Sequence, residues 1–180
     1  MGASCRDTTR AIGDASRRRE RVGRTWHHGR VNDPRSSEQR RADALEKLSE
    51  THADAWVATA SDHAAHLVPL SFAWNGSQLV LATDEKSVTA RNLRSRGLAR
   101  IALGTTRDVV MIEATLDDIL HVTDQHETTA ATYAEQADWD PRRAGIGYVY
   151  LLLRPQRVQV WREVNEIAGR TIMRAGAWVD

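Results

Sequence analysis

His66 to Thr83 reads HLVPLSFAWNGSQLVLAT, and the fold turns on how these eighteen residues are taken. Val68, Leu70, Phe72 and Trp74 fall on one face at a period of two, while Leu67, Pro69, Ser71 and Ala73 fall on the other, which is the spacing of a strand with one strongly apolar side. Ser77 to Thr83 repeats the pattern, and Asn75-Gly76 stands between the two runs. Asn-Gly is the favoured pair of a type I′ turn because both central positions need positive φ, so a two-residue hairpin is expected here. Pro69 has no N–H to give to a ladder, which puts it at an edge, at a bulge or beside a ligand.

Working outward from this hairpin, the flanking segments extend the pattern. Ser36 and Gln39 have capping-box spacing ahead of Ala44, Leu45 and Leu48, which predicts a helix to about Glu50. AWVATAS from Ala55 reads as a strand, closed by a polar turn at Ser61 to Ala64. After the hairpin, DEKSVTARNLRSRG predicts a helix of two or three turns, with Ser87 as its cap and Gly97 as its stop. ARIALG and VVMIEATL predict a second antiparallel pair. Asp124 and Glu127 repeat the capping-box spacing before a helix that Pro141 ends, and YVYLLLRPQRVQVW is a long closing strand. Arg162 to Asp180 carries mixed signals and is assigned as a partly ordered terminus. The expected fold class is mainly β (α+β): a six-stranded antiparallel barrel with peripheral helices.

Composition sets the bounds. A chain of 180 residues supplies one domain with a sizeable core. No apolar run approaches the roughly 20 residues of a membrane-spanning helix, so no membrane partner is expected. The single cysteine, Cys5, permits neither an internal disulfide nor a cysteine-based zinc site, and the expected compartment is the cytoplasm. Residues 1–41 hold eleven arginines against five acidic residues, a net +6, whereas the remainder holds 14 basic against 19 acidic, a net −5. An organellar leader does not fit the scattered acids. Nucleic-acid binding by the RRRERVGR run lacks interleaved aromatics beyond Trp26, so residues 1–35 read as a disordered Arg-rich extension and nucleic acid is not an expected partner.

The chemistry concentrates at DEKSVTARNL, Asp84 to Leu93, which gathers Lys86, Ser87, Thr89, Arg91 and Asn92. One reading is an ordinary capped helix start; the other is a cradle for a phosphate, built from leading N–H groups, hydroxyls and a guanidinium. A capping serine alone explains neither Thr89 nor Arg91. His63 and His66 are spaced to hold a metal but lack a third ligand nearby, as do His27 and His28, and they read as surface histidines. Glu113 sits mid-strand and is expected to face solvent. The tryptophans are expected in the core or at a subunit contact, with Trp161 and Trp178 as covers for a flat ring. No P-loop, G-x-S-x-G elbow or G-x-G-x-x-G occurs.

The order of elements and the strings HLVPLSFAWNGSQLVLAT, TARNLRSRGLARIAL, DVVMIEA and RPQRVQVWREVNEIAGRTIMRAGAW resemble the pyridoxamine 5′-phosphate oxidase-like split-barrel flavoproteins over residues 36–180. The resemblance implies a split barrel that binds flavin mononucleotide (FMN) or the deazaflavin coenzyme F-420, the two left undecided, in a homodimer with the cofactor at the subunit interface. By position it places the ring against Val68, Pro69, Leu70 and Ser71 and against Leu81, Ala82 and Thr83. The phosphate falls at Lys86, Ser87, Thr89, Arg91 and Asn92. Many relatives carry Arg or Lys where this chain has Ser87 and Thr89, so the cationic share rests on Lys86 and Arg91. The implied activity is hydride transfer between the cofactor and a small organic substrate, with a non-catalytic flavin- or haem-binding module as the alternative. No catalytic residue is assigned.

Overall fold

The computed structural model describes residues 33–179. Helix α1 (Ser37–Ser49) is followed by strands β1 (Asp54–Ala60), β2 (Ala65–Trp74) and β3 (Leu79–Asp84), helix α2 (Val88–Arg96), strands β4 (Leu98–Thr105) and β5 (Asp108–His121), helix α3 (Glu127–Ala137) and strand β6 (Tyr148–Trp161). Two short strands, β7 (Thr171–Arg174) and β8 (Ala177–Trp178), complete the chain. All pairings are antiparallel in the order β3-β2-β1-β4-β5-β6-β7-β8, and a further β3–β6 pairing closes β1 to β6 into a six-stranded barrel. The architecture is therefore the expected one, with two strands added.

The barrel fills itself by alternation. Ala55, Val57, Phe72, Leu79, Leu81, Ile101, Ile112, Leu151 and Val158 point inward and are essentially fully buried. Each large member contributes about 1.5–3 kcal/mol by leaving water. Leu48 and Ala44 of α1 close one end of this core. Ser36 caps α1 by accepting from the Gln39 amide, as the capping-box spacing requires.

Three local expectations are corrected. The hairpin between β2 and β3 is present, but its turn is not type I′: Gly76 has positive φ and Asn75 does not. Instead Asn75 Oδ1 accepts from the amides of Ser77 and Gln78, and a side-chain turn replaces the backbone one across a four-residue loop. Helix α3 starts after His126 with no side-chain cap, while Asp124 stays in the preceding turn. Residues 162–179 are more regular than the partly ordered terminus expected: Val164–Glu166 forms a 3₁₀ turn, and β7 and β8 form a hairpin against β6. Of the tryptophans, Trp74 and Trp178 pack half-buried against the barrel core, Trp56 and Trp139 are exposed, and Trp26 lies outside the described residues.

Arg35 fastens this tail to α1. Its buried guanidinium donates to Glu166 at 2.7 Å and to Asp43 at 2.6 Å, and Asp108 lies at 3.2 Å. Hydrogen bonds from Arg35 hold the Glu166 carboxyl down at about 2 against the opposing effect of burial. Of the Arg-rich segment, residues 1–32 lie outside the described residues, and so does the reading made for them.

Candidate functional site

The barrel is open between β2 and β3. Their ladder runs only from Trp74–Leu79 to Phe72–Leu81, whereas β2 pairs with β1 along its other edge from Ala65 to Ser71. Alternate residues of an antiparallel strand turn their N–H and C=O to the same side. Pro69 has no N–H, and the Ser71 carbonyl accepts from the Tyr133 hydroxyl at 3.3 Å, so Leu67, Pro69 and Ser71 are the set that faces the opening. The missing donor of Pro69 thus falls where no ladder is lost.

This geometry divides the residues expected against a ring. Pro69 is exposed beside the opening. Val68 and Leu70 are half-buried, point inward and spend their backbone groups on β1. Ser71 donates to Asp54 Oδ1 at 2.7 Å. On β3, Leu81 is 0% exposed in the barrel core and Ala82 is 6% exposed beneath α3, so neither offers side-chain surface; Thr83 is half-buried at the strand's end. Tyr133, which the sequence reading passed over, bonds the backbone of Ser71 and of Ala82 and so stitches the strands at the inner end of the opening. Burial drives its phenol well above the usual tyrosine range.

The start of α2 is more closed than a bare anion cradle. Ser87 Oγ accepts from the Ala90 amide at 3.1 Å, and Asp84 Oδ1 takes the Lys86 amide at 2.7 Å. Arg91 turns back to the Lys86 carbonyl, and Arg94 reaches the Glu85 carbonyl at 2.8 Å. Thr89 and Asn92 are buried on the barrel side, where Asn92 Nδ2 donates to Thr59 Oγ1 of β1 at 3.1 Å. Asn92 thus docks the helix on the barrel. Lys86 and Ser87 stay at the surface with Thr83 close in sequence.

Next to the opening lies a wide uncovered sheet face. Register aligns Leu67, Ala58, Arg100, Glu113 and Arg157 in one row across five strands, and Pro69, Trp56, Ala102, Met111 and Gln159 in the next. Trp56, Leu67 and Leu98 are 53%, 59% and 61% exposed. Large apolar side chains grouped in this way mark an interaction surface. Glu113 faces outward, as expected, and forms ion pairs with Arg100 and Arg157. A groove of about 630 Å³ opens on this face between β1, β4 and β5 near the end of α2, and none of the twelve residues anticipated for the cofactor lines it.

His63 is exposed and His66 half-buried. Among the described residues no three His, Cys, Asp or Glu side chains gather as metal ligands, and no helix is long and apolar enough to cross a membrane. His27 and His28 lie outside the described residues.

No protein-family model and no curated protein matches the chain. Solved structures do. A conserved hypothetical protein of Mycobacterium tuberculosis aligns at TM-score 0.57 and 18% identity, covering 76% of this chain and 91% of that one. A pyridoxamine 5′-phosphate oxidase candidate from Listeria innocua aligns at TM-score 0.52 and 13% identity, covering 69% and 98%. A haem-binding protein of Mycobacterium smegmatis aligns at TM-score 0.53 and 20% identity, covering 81% and 60%. What these likenesses define is a class of fold, the split barrel. Within it, the resemblance read from the sequence is to the pyridoxamine 5′-phosphate oxidase-like group, whose architecture this chain shares.

Proposed function

We propose that this protein is a flavin- or deazaflavin-dependent oxidoreductase that works as a homodimer, with FMN or coenzyme F-420 held where the β2–β3 opening meets the bare sheet face. The observation that carries the reading is the edge of β2. Leu67 and Pro69 present unpaired backbone groups beside exposed apolar side chains. A planar ring with alternating donors and acceptors on its rim is the kind of partner such an edge fits.

The residues present suit the ring better than the phosphate. Leu67 N–H and C=O and Pro69 C=O supply the strand edge, and Thr83 supplies a hydroxyl. Lys86 and Ser87 follow Thr83 closely in the chain and would receive the phosphate, with Arg91 joining them once it releases the Lys86 carbonyl. When bound, the cofactor supplies the hydride chemistry, and the protein supplies binding, orientation and shielding from water. A second copy laid on Trp56 and Leu67 excludes water from the outer side of the ring. Charge-assisted contacts from Lys86 and Arg91 make the phosphate contribution testable. Replacing both residues by alanine is expected to weaken FMN or F-420 affinity about tenfold or more. Unchanged affinity in that double variant refutes the phosphate assignment.

A second reading is a non-catalytic flavin- or haem-binding module, and the self-satisfied start of α2 favours it. Asp84 already occupies the Lys86 amide, and Arg91 is already paired. A Soret band on haem addition, with no reduction of any acceptor by the flavin-loaded protein, would select this reading over the first.

A further inference from the structure

The groove between β1, β4 and β5 is built from features that the cofactor reading does not use. Its outward-facing walls are small: Ala58, Ala60 and Ala65 leave room where larger residues would fill it. Its floor is set by a fault in the sheet. Glu113 pairs with Arg157 and Ala114 with Pro155, so Gln156 is an extra residue on β6. A bulge re-aims the side chain it carries, and here it turns Gln156 to the groove, where Nε2 donates to Thr115 Oγ1 at 3.0 Å. Pro155 beside it withholds a donor at a position where the ladder is already broken. The mouth carries two guanidiniums, Arg96 and Arg100, each about half exposed and paired with a solvent-accessible carboxylate, Asp62 and Glu113 respectively. Pairs this exposed are weak and exchangeable, so an incoming anion can replace either carboxylate. With Arg157 also against Glu113, these pairs bring three cations against two anions.

We propose that this groove is a second small-molecule site, separate from the cofactor seat, for a flat apolar ligand that bears one anionic group. The apolar body lies between the alanines, the Gln156–Thr115 floor offers polar contacts, and the anion exchanges onto Arg96 or Arg100. A volume of about 630 Å³ is in the range that holds one such molecule. Ala65 on the groove and Leu67, the nearest residue of the cofactor edge, share one face of β2 two residues apart, about 6–7 Å along a strand. The two sites thus adjoin, and their independence is what the FMN competition below decides. The proposal stands whether or not the protein binds a flavin.

The test uses two fluorescent probes of similar shape, anilinonaphthalene sulfonate and the uncharged N-phenyl-naphthylamine, titrated into the full chain with oligomeric mass followed in parallel. The sulfonate is expected to bind more tightly than the neutral probe. Arg96→Gln with Arg100→Gln should weaken sulfonate binding roughly tenfold and leave the neutral probe unchanged. Ala60→Trp, at the exposed end of β1, should block both probes without altering the circular dichroism spectrum. Ala58→Trp serves as a second block. Equal affinities for the two probes, or binding that survives both tryptophan variants, overturns the proposal. So does displacement of the sulfonate by saturating FMN, which would make the groove the cofactor's own. If tryptophan in the groove changes the oligomeric mass and not probe binding, a second copy fills the groove and the proposal is likewise wrong. Failure of FMN to bind leaves these arms intact and counts only against the oxidoreductase reading.

Discussion

The barrel has two apolar outer faces that are treated in opposite ways. Over β3, the end of β2 and the start of β6, the outward residues Ala73, Val80, Ala82 and Tyr150 are roofed by Ala130, Tyr133 and Ala137 of α3. Over β1, the start of β2, β4 and β5, Trp56, Leu67 and Leu98 have no helix above them. The covered face carries small residues under packed aromatics, with Tyr133 and Tyr150 edge to face at 5.6 Å. The bare face carries large residues that project. Two apolar outer faces are therefore handled differently: one is covered within the chain, and the other leaves large side chains exposed in the single chain. The opening between β2 and β3 lies at the border of the two, with Tyr133 closing its inner end from the roofed side.

This contrast is open to attack, most severely on the roofed side. Tyr133→Ala removes a buried ring and the stitch across the opening, and is expected to cost about 3–5 kcal/mol by urea unfolding. A loss below about 1 kcal/mol would mean that α3 is not the roof described here. The clamp beneath the tail gives a yardstick remote from both faces. Glu166 is held down from 4.5 to about 2 in the folded chain, so its stabilising contribution is present above pH 4.5 and is lost as the pH falls toward 2. That shift corresponds to about 3 kcal/mol. Glu166→Gln should remove most of it at neutral pH and flatten the acid limb of the stability profile; a profile superimposable on that of the unaltered protein would show that the clamp does not act as described.

Gln136 ties α3 to two other elements, accepting from the Trp74 amide and donating to the carbonyls of Leu48 and Glu50. Gln136→Ala leaves those buried groups unpaired, and a loss of about 1–3 kcal/mol is expected by the same unfolding measurement. The bare face should respond least. Trp56→Ala is expected to change the stability of the dilute, single chain by no more than about 0.5 kcal/mol. A much larger loss would mean that Trp56 belongs to the intramolecular core.

Six of the strands and their inward faces were legible in the sequence because period-two patterning reports burial directly, as in Val110, Ile112 and Ala114. Ser87 and Gly97 marked the bounds of α2 correctly, since caps are local. Elsewhere the sequence was less direct, at one place for a local reason and at others because the partner residue lies far along the chain. Asn75-Gly76 suits a type I′ turn in isolation, yet the Asn75 side chain found Ser77 and Gln78 instead. Thr89 and Asn92 have the chemistry of phosphate ligands, but the helix is rotated so that both face the barrel and Asn92 holds Thr59. Tyr133 lies 62 residues from Ser71, and no local signal could place it at the opening. Gln156 gave a fainter clue: the Pro155 before it, in an otherwise regular strand, is the residue that a bulge accommodates.

The central claim, that a cofactor is held where the β2–β3 opening meets a face covered by a second copy, is tested most directly by titrating FMN and coenzyme F-420 into the protein and into its Trp56→Asp variant while following fluorescence quenching and molecular mass. The account predicts a dimer that saturates with one of the two cofactors at one per chain, and a monomeric variant that loses this binding. Undiminished binding by a monomeric variant, or no saturable binding of either cofactor to the unaltered protein, would contradict it.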